Sequence, residues 1–197
     1  VIAGFHLVWT AYGWWLPNDP RGSSSHEIRV ERIAELGELH HGRKAVQPPG
    51  SDIREFYDRA REVLQHELLR FSSTEVAVIA AAFRETILRE RYTCYACAIM
   101  GDHVHCLIRK HKHHAETMIE NLQAASRAAL IDAECRPPEH PVWGGPGWKV
   151  FLSTRDDMWR IVRYVEQNPI KAGRPAQTWD FVKPYDGWLP GGHPARR

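Results

Sequence analysis

Met100-Gly101-Asp102-His103-Val104-His105-Cys106-Leu107-Ile108-Arg109-Lys110 opens on a Gly-Asp turn and then alternates in character from residue to residue, the pattern of a half-buried β-strand. Side chains at i and i+2 of a strand share a face. His103 and His105 therefore stand side by side, while Val104, Cys106 and Ile108 face the other way. Two neutral imidazoles on one strand supply half of a divalent-metal site without relying on a loop. In a chain with 12 His, a pair of surface histidines on a half-exposed strand is the plainer alternative, so the pair needs a third component from elsewhere.

That component lies in Met158-Trp159-Arg160-Ile161-Val162-Arg163-Tyr164-Val165-Glu166-Gln167-Asn168-Pro169. Met158, Ile161, Val162 and Val165 recur at i, i+3, i+4 and i+7, one apolar stripe of an amphipathic helix. Tyr164 and Asn168, four apart, stack on one flank of that stripe at the boundary of core and solvent. Pro169 disfavours further helix and leaves Asn168 in the last turn. Taken alone, Tyr164 reads better as a boundary aromatic with its hydroxyl in water.

Together, the His-hydrophobic-His strand and the downstream Tyr164-x-x-x-Asn168-Pro169 with Lys171-Ala172-Gly173 behind it resemble the HUH single-strand DNA endonucleases. The resemblance is to the single-tyrosine transposases, and among them to the REP-associated tyrosine transposases of the IS200-like group. Gly101-Asp102-His103-Val104-His105, Arg163 to Gly173, and the N-terminal Trp9-Thr10-Ala11-Tyr12-Gly13-Trp14-Trp15-Leu16-Pro17-Asn18-Asp19-Pro20-Arg21-Gly22 carry it, in the family's order.

At 197 residues, with 43% hydrophobic and 25% charged residues, the chain has the size and composition of one soluble globular domain. A net charge of +2 does not mark a nucleic-acid binder, so any basic surface must be local. Four Cys, without a signal-like segment or an apolar run of membrane length, point to a reducing cytoplasm and no membrane. A first residue of Val implies that a short leader is missing.

Residues 2–12 read as a strand, central in its sheet, with Phe5, Leu7 and Trp9 on one side and His6, Val8 and Thr10 on the other. Trp14 and Trp15 in the following loop either cap the core or, beside Arg21, stack on unpaired bases. An insertion at about 20–72 is expected to hold a short helix over 28–39, with Arg43-Lys44 either lying along a phosphate backbone or simply solvated. A second helix there runs from a Ser51-Asp52 cap to Arg70, burying Ile53, Phe56, Tyr57, Ala60, Val63, Leu64 and Leu68. Ser72 to Glu75 has capping-box spacing ahead of a helix over 74–91.

Residues 91–110 form an antiparallel hairpin. Cys94-x-x-Cys97 does not read as zinc-binding, since strand residues three apart face opposite ways and no second pair exists. A helix over 115–132 carries Asn121, Gln123, Ser126 and Arg127 on its polar side, either DNA contacts or a solvated face. Trp143-Gly144-Gly145-Pro146-Gly147-Trp148 lacks the ending of a P-loop and leads into a short strand over 149–152, after which Ser153 or Thr154 caps the tyrosine helix. In the irregular tail at about 174–197, Trp179, Phe181, Tyr185 and Trp188 fold back on the core, and 195–197 make a loose basic end. Without the insertion the order is strand, helix, strand, strand, helix, strand, helix. The first six elements follow the split βαβ pattern of ferredoxin-like folds, predicting a single α+β domain over 1–197 with an antiparallel sheet, packed helices and the tyrosine helix added last.

The resemblance implies the HUH endonuclease fold and a metal-dependent single-stranded DNA transposase that cleaves and rejoins DNA near hairpins of repetitive palindromes. Tyr164 is then the nucleophile that forms a 5′-phosphotyrosine, and His103, His105 and Asn168 hold Mg²⁺ or Mn²⁺, with Gln167 in reserve as third ligand. Arg160, Arg163 and Lys171 are candidate phosphate contacts, joined by Trp14 and Arg21 as candidate nucleic-acid contacts. Family members act as monomers or homodimers. Two other readings stay open: a domesticated hairpin-binding protein that no longer cuts, and a metal-dependent hydrolase that activates water.

Overall fold

The computed structural model describes residues 1–42 and 44–191, so Arg43 and the basic end at 195–197 lie outside the described residues. In chain order the elements are β1 (Gly4–Thr10), α1 (Glu31–Ala34), α2 (Gly50–Val63), α3 (Ser73–Glu90), β2 (Cys94–Ile99), β3 (His103–Arg109), α4 (Ala115–Asp132), β4 (Trp148–Leu152) and α5 (Arg155–Lys171). The strands form a four-stranded antiparallel sheet of order β2-β3-β1-β4. β3 lies between β1 and β2, the two strands joined through α3, which is the split βαβ order expected from the sequence. The molecule is thus a mixed α/β fold, an antiparallel sheet with flanking helices.

Register decides which residues share a face. His6 lies opposite Leu107, Val8 opposite His105 and Thr10 opposite His103. One face of the sheet packs on α3 and α4: Leu7, Trp9, Val104, Cys106 and Ile108 join Ile79, Phe83, Met118 and Leu122 in a single buried cluster. On the other face Leu107, Ala96 and Ala98 meet Met158, Val162 and Val165 of α5. The histidines belong to that second face.

Several local expectations hold for the reasons that produced them. Ser72 Oγ accepts from the Glu75 N–H while the Glu75 carboxylate takes the Ser72 N–H, closing the capping box of α3. Thr154 Oγ1 accepts from Asp157 N–H at 3.1 Å and starts α5. Gly147, at φ +81, lets its loop approach β1 so closely that a Cβ there would lie 2.8 Å from the Val8 carbonyl. Phe181 and Tyr185 of the tail are buried, and the Arg109 guanidinium lies 3.4 Å above the Trp188 ring.

Other expectations are corrected. The helix over 28–39 is only Glu31–Ala34. α2 stops at Val63 instead of Arg70, with Pro49 rather than Ser51 at its N-cap. Beyond it the Leu69 N–H bonds the Tyr12 carbonyl and the Phe71 N–H the Gly101 carbonyl, which ties this non-helical segment to the loop after β1 and to the turn before β3. Leu64 and Leu68 still pack with Phe56, Tyr57 and Ala60. A register shift between Cys94 and Ala96 places Cys94 and Cys97 in the same cluster as Cys106, against the expectation of opposite faces. α5 continues through Pro169 to Lys171, although Pro169 brings no N–H and so leaves the Val165 carbonyl without its helical donor.

The polar side of α4 is engaged inside the protein. Ser126, fully buried, donates to the Leu122 carbonyl and accepts from Trp143 Nε1 at 3.2 Å. Arg127 donates to the carbonyls of His140 and Pro138, and Asn121 to the Tyr92 hydroxyl. Among the described residues no helix is long and apolar enough to cross a membrane.

Candidate active site

His103 and His105 project from β3 with ring centroids 4.9 Å apart and planes at 90°. Each has its Nδ1 tied back. Asp102, from the Gly-Asp turn, holds His103 Nδ1 at 2.7 Å, and since an ionised carboxylate only accepts, His103 donates there. His105 Nδ1 meets Nε2 of His6 at 3.0 Å, across β1. In both rings Nε2 is the nitrogen left for a ligand, the orientation that metal-binding histidines take from a partner behind them.

Burial sets the charge of this cluster. It pulls His6 down to about 4, and it pulls His105 well below the usual imidazole range, helped by the nearby charges of His103 and His6. Both rings are therefore neutral near pH 7, the form that can ligate a cation. For Asp102 burial acts to raise the carboxyl, but its bond to His103, the His103 charge, and Arg70 and Arg21 outweigh it and leave it below the ordinary carboxylate range.

Tyr164 reaches the same face from α5. Its ring stands edge-on to His105 at 5.4 Å and to His6 at 5.9 Å, and the residue is 45% exposed, so its hydroxyl is open to an incoming group. One turn on, Asn168 Nδ2 donates to the Tyr164 carbonyl at 3.1 Å, leaving Oδ1 as a free acceptor. Gln167 is exposed. Among the described residues no three His, Cys, Asp or Glu side chains converge on a point that would hold a metal ion.

The loop after β1 supports the other side of His103. Trp15, at φ +50, sets its ring edge-on to His103 at 5.4 Å. The Arg21 guanidinium lies over the Trp15 ring, 4.1 Å from its centroid. Its guanidinium is held by buried Asp19 at 2.7 Å and 3.0 Å and by the Tyr57 hydroxyl of α2, which also bonds Asp19. Trp14, half-buried, donates to the Leu69 carbonyl at 2.6 Å and packs on Tyr57. Both Trp14 and Arg21 are thus committed within the protein.

On α5, Arg160 pairs with Asp157 at 2.6 Å, while Lys171 is exposed. Arg163 lines a groove of about 690 Å³ between α5, β2 and the tail, with Trp159, Tyr185 and Trp179.

Three members of the constellation went unseen in the sequence. His6 was visible only as a polar residue on the face of β1 opposite Phe5 and Leu7. Asp19 had a local signal, since its Oδ1 accepts from Arg21 N–H at 2.8 Å in an Asx turn that Asn18-Asp19-Pro20-Arg21-Gly22 is composed to make. Tyr57 had none, because its partner lies 38 residues away.

No protein-family model matches the chain, and no curated protein sequence matches it. Among solved structures it is similar to a REP-associated tyrosine transposase bound to a REP hairpin, at 15% identity and a TM-score of 0.45 over 56% of this chain and 64% of that one. The match therefore spans less than two-thirds of that transposase's own length. It is also similar to a protein described as a "putative transposase from Deinococcus radiodurans R1", at 13% identity and a TM-score of 0.41 over 89% and 94% of the two chains. Both are distant structural likenesses, one to a tyrosine transposase and one to a protein described as a transposase.

Proposed function

We propose that this chain has the HUH fold and is a metal-dependent single-stranded DNA transposase or nickase, cleaving and rejoining strands next to hairpins. The observation that supports it most is the placement of the exposed Tyr164 ring against His105, on the face where both histidines of the strand pair keep Nε2 free. Tyr164 attacks the scissile phosphorus through its phenolic oxygen and gives up its phenolic proton to solvent. The P–O3′ bond breaks, the tyrosine keeps the 5′-phosphate, and the leaving 3′-oxygen takes up a proton to end as a free hydroxyl. Because the phosphodiester energy is conserved in that linkage, reversal with another 3′-OH rejoins strands.

His103 and His105 through Nε2, with Asn168 through Oδ1, are the proposed ligands of Mg²⁺ or Mn²⁺, nitrogen donors favouring Mn²⁺. When bound, that cation polarises the phosphate and aligns it for in-line attack. Arg160, Arg163 and Lys171, exposed on α5, provide phosphate contacts. Trp15, with the Arg21 guanidinium over its ring, shapes the rim beside His103.

The test mixes the protein, Mn²⁺ and labelled single-stranded DNA carrying the hairpins that flank its own gene, and resolves the products on a denaturing gel. A covalent protein–DNA band that disappears with chelator and with Tyr164→Phe is expected. Cleavage that survives Tyr164→Phe would show activated water instead, and hairpin binding without cleavage would show a recognition module.

A further inference from the structure

We propose that His6 is a positioning residue that fixes His105 as the Nδ1–H tautomer, keeping the Nε2 lone pair of His105 directed into the site. What that lone pair serves rests on the proposed metal-dependent chemistry, whereas how it is set does not. Both residues are 6% exposed, and Nε2 of His6 and Nδ1 of His105 are 3.0 Å apart, so water does not mediate the contact. Two imidazoles that meet through ring nitrogens need one N–H and one lone pair. If His6 donated, His105 would carry its hydrogen on Nε2 and spend its lone pair on His6, with nothing to offer a cation. If His105 donates, its bond has the same direction as that of His103 to Asp102, and the pair presents two matched Nε2 lone pairs.

The position itself argues for this use. His6 faces Leu107 across the strands, a place where an aliphatic residue would pack without the cost of desolvating an imidazole. Among the described residues its one polar side-chain partner is His105. The cost of burying this polar ring is offset at that single side-chain partner, 99 positions away in sequence. The two histidines of the strand are thus oriented by different means, one by a carboxylate next to it in sequence and one by a neutral ring from the neighbouring strand.

The experiment uses the full chain, ¹⁵N-labelled in its imidazoles and free of metal, and reads each tautomer from long-range ¹H–¹⁵N correlations. His105 is expected with hydrogen on Nδ1 and a bare Nε2, and His6 with a bare Nε2. His6→Gln places an accepting amide oxygen where Nε2 stood and should keep the His105 tautomer. His6→Phe keeps the ring shape without an acceptor and should shift His105 toward Nε2–H. In calorimetric titration with Mn²⁺, His6→Phe should lose affinity by about 10- to 100-fold while His6→Gln stays within a few-fold of wild type. Hydrogen on Nε2 of His105 in the wild-type protein overturns the inference, and so does a His6→Phe protein with unchanged tautomer and Mn²⁺ affinity. If His6→Phe does not fold, the wild-type spectrum decides alone. The expected tautomers in a protein that binds no Mn²⁺ would uphold the role of His6 and overturn the metal-dependent reading.

Discussion

Ser72 holds the first turn of α3 with one hydroxyl, and the helix that starts there carries Val76 and Ile79 into the main core. Ser72→Ala leaves the Glu75 N–H without its cap and should lower stability by about 1 kcal/mol in urea titration. Gly147→Ala should cost more, roughly 2 kcal/mol by the same measurement, because a left-handed φ and a backbone carbonyl in the way leave the methyl nowhere to go. Single residues also show where sequence reading reaches its limit. His103, His105, Tyr164 and Asn168 could be picked out because each pair is fixed by the period of one strand or one helix. His6 could not, since only the pairing of β1 with β3 brings it to His105, and pairing register is tertiary information.

Among elements, the tail behaves as a substitute strand. Gln177 places its side-chain amide along the outer edge of β2, where Oε1 accepts from Ile99 N–H at 2.8 Å and Nε2 donates to the Ile99 carbonyl at 2.7 Å. Farther along, the Lys183 N–H bonds the Cys94 carbonyl. Gln177→Ala removes two partners from one residue and should cost about 1–3 kcal/mol, with faster amide exchange at Ile99 than elsewhere in β2 as the diagnostic. Elements with a strong local signal are legible where that signal sits: α3 with its capping box to within a residue at both ends, and α5 with its cap at its start, while its end passes Pro169 to Lys171. The apolar spacing of α2 continues past its end through Leu64 and Leu68, which pack in the same cluster from outside the helix, so the pattern alone overstates its length. The bulge in β2 had no signature in a run of small and aromatic residues that reads equally well straight.

For the whole molecule, alkali is the predicted weakness. Burial, then the charge of Asp19, raises the Tyr57 phenol, and burial, then the charge of Asp186, raises Tyr95 to about 12. Between about pH 10 and that value the unfolded chain loses phenolic protons that the folded chain keeps, so stability must fall as pH rises. Urea titrations at about pH 9 and about pH 11 should show this, and Tyr95→Phe should make the decline shallower. The thiols of Cys94, Cys97 and Cys106 are raised as well, so part of the decline remains.

The alternation of β3 has one more result. Val104, Cys106 and Ile108 are fully buried on one side, and the imidazoles of His103 and His105 stand on the other. A slip of one residue against β1 would exchange the two sets, pushing charged-capable rings into hydrocarbon and aliphatic side chains into the cleft. The strand cannot misalign its imidazoles without also giving up its hold on α3 and α4. Folding thereby acts as an inspection step: a molecule that has closed its core has already set its histidine pair to the correct side.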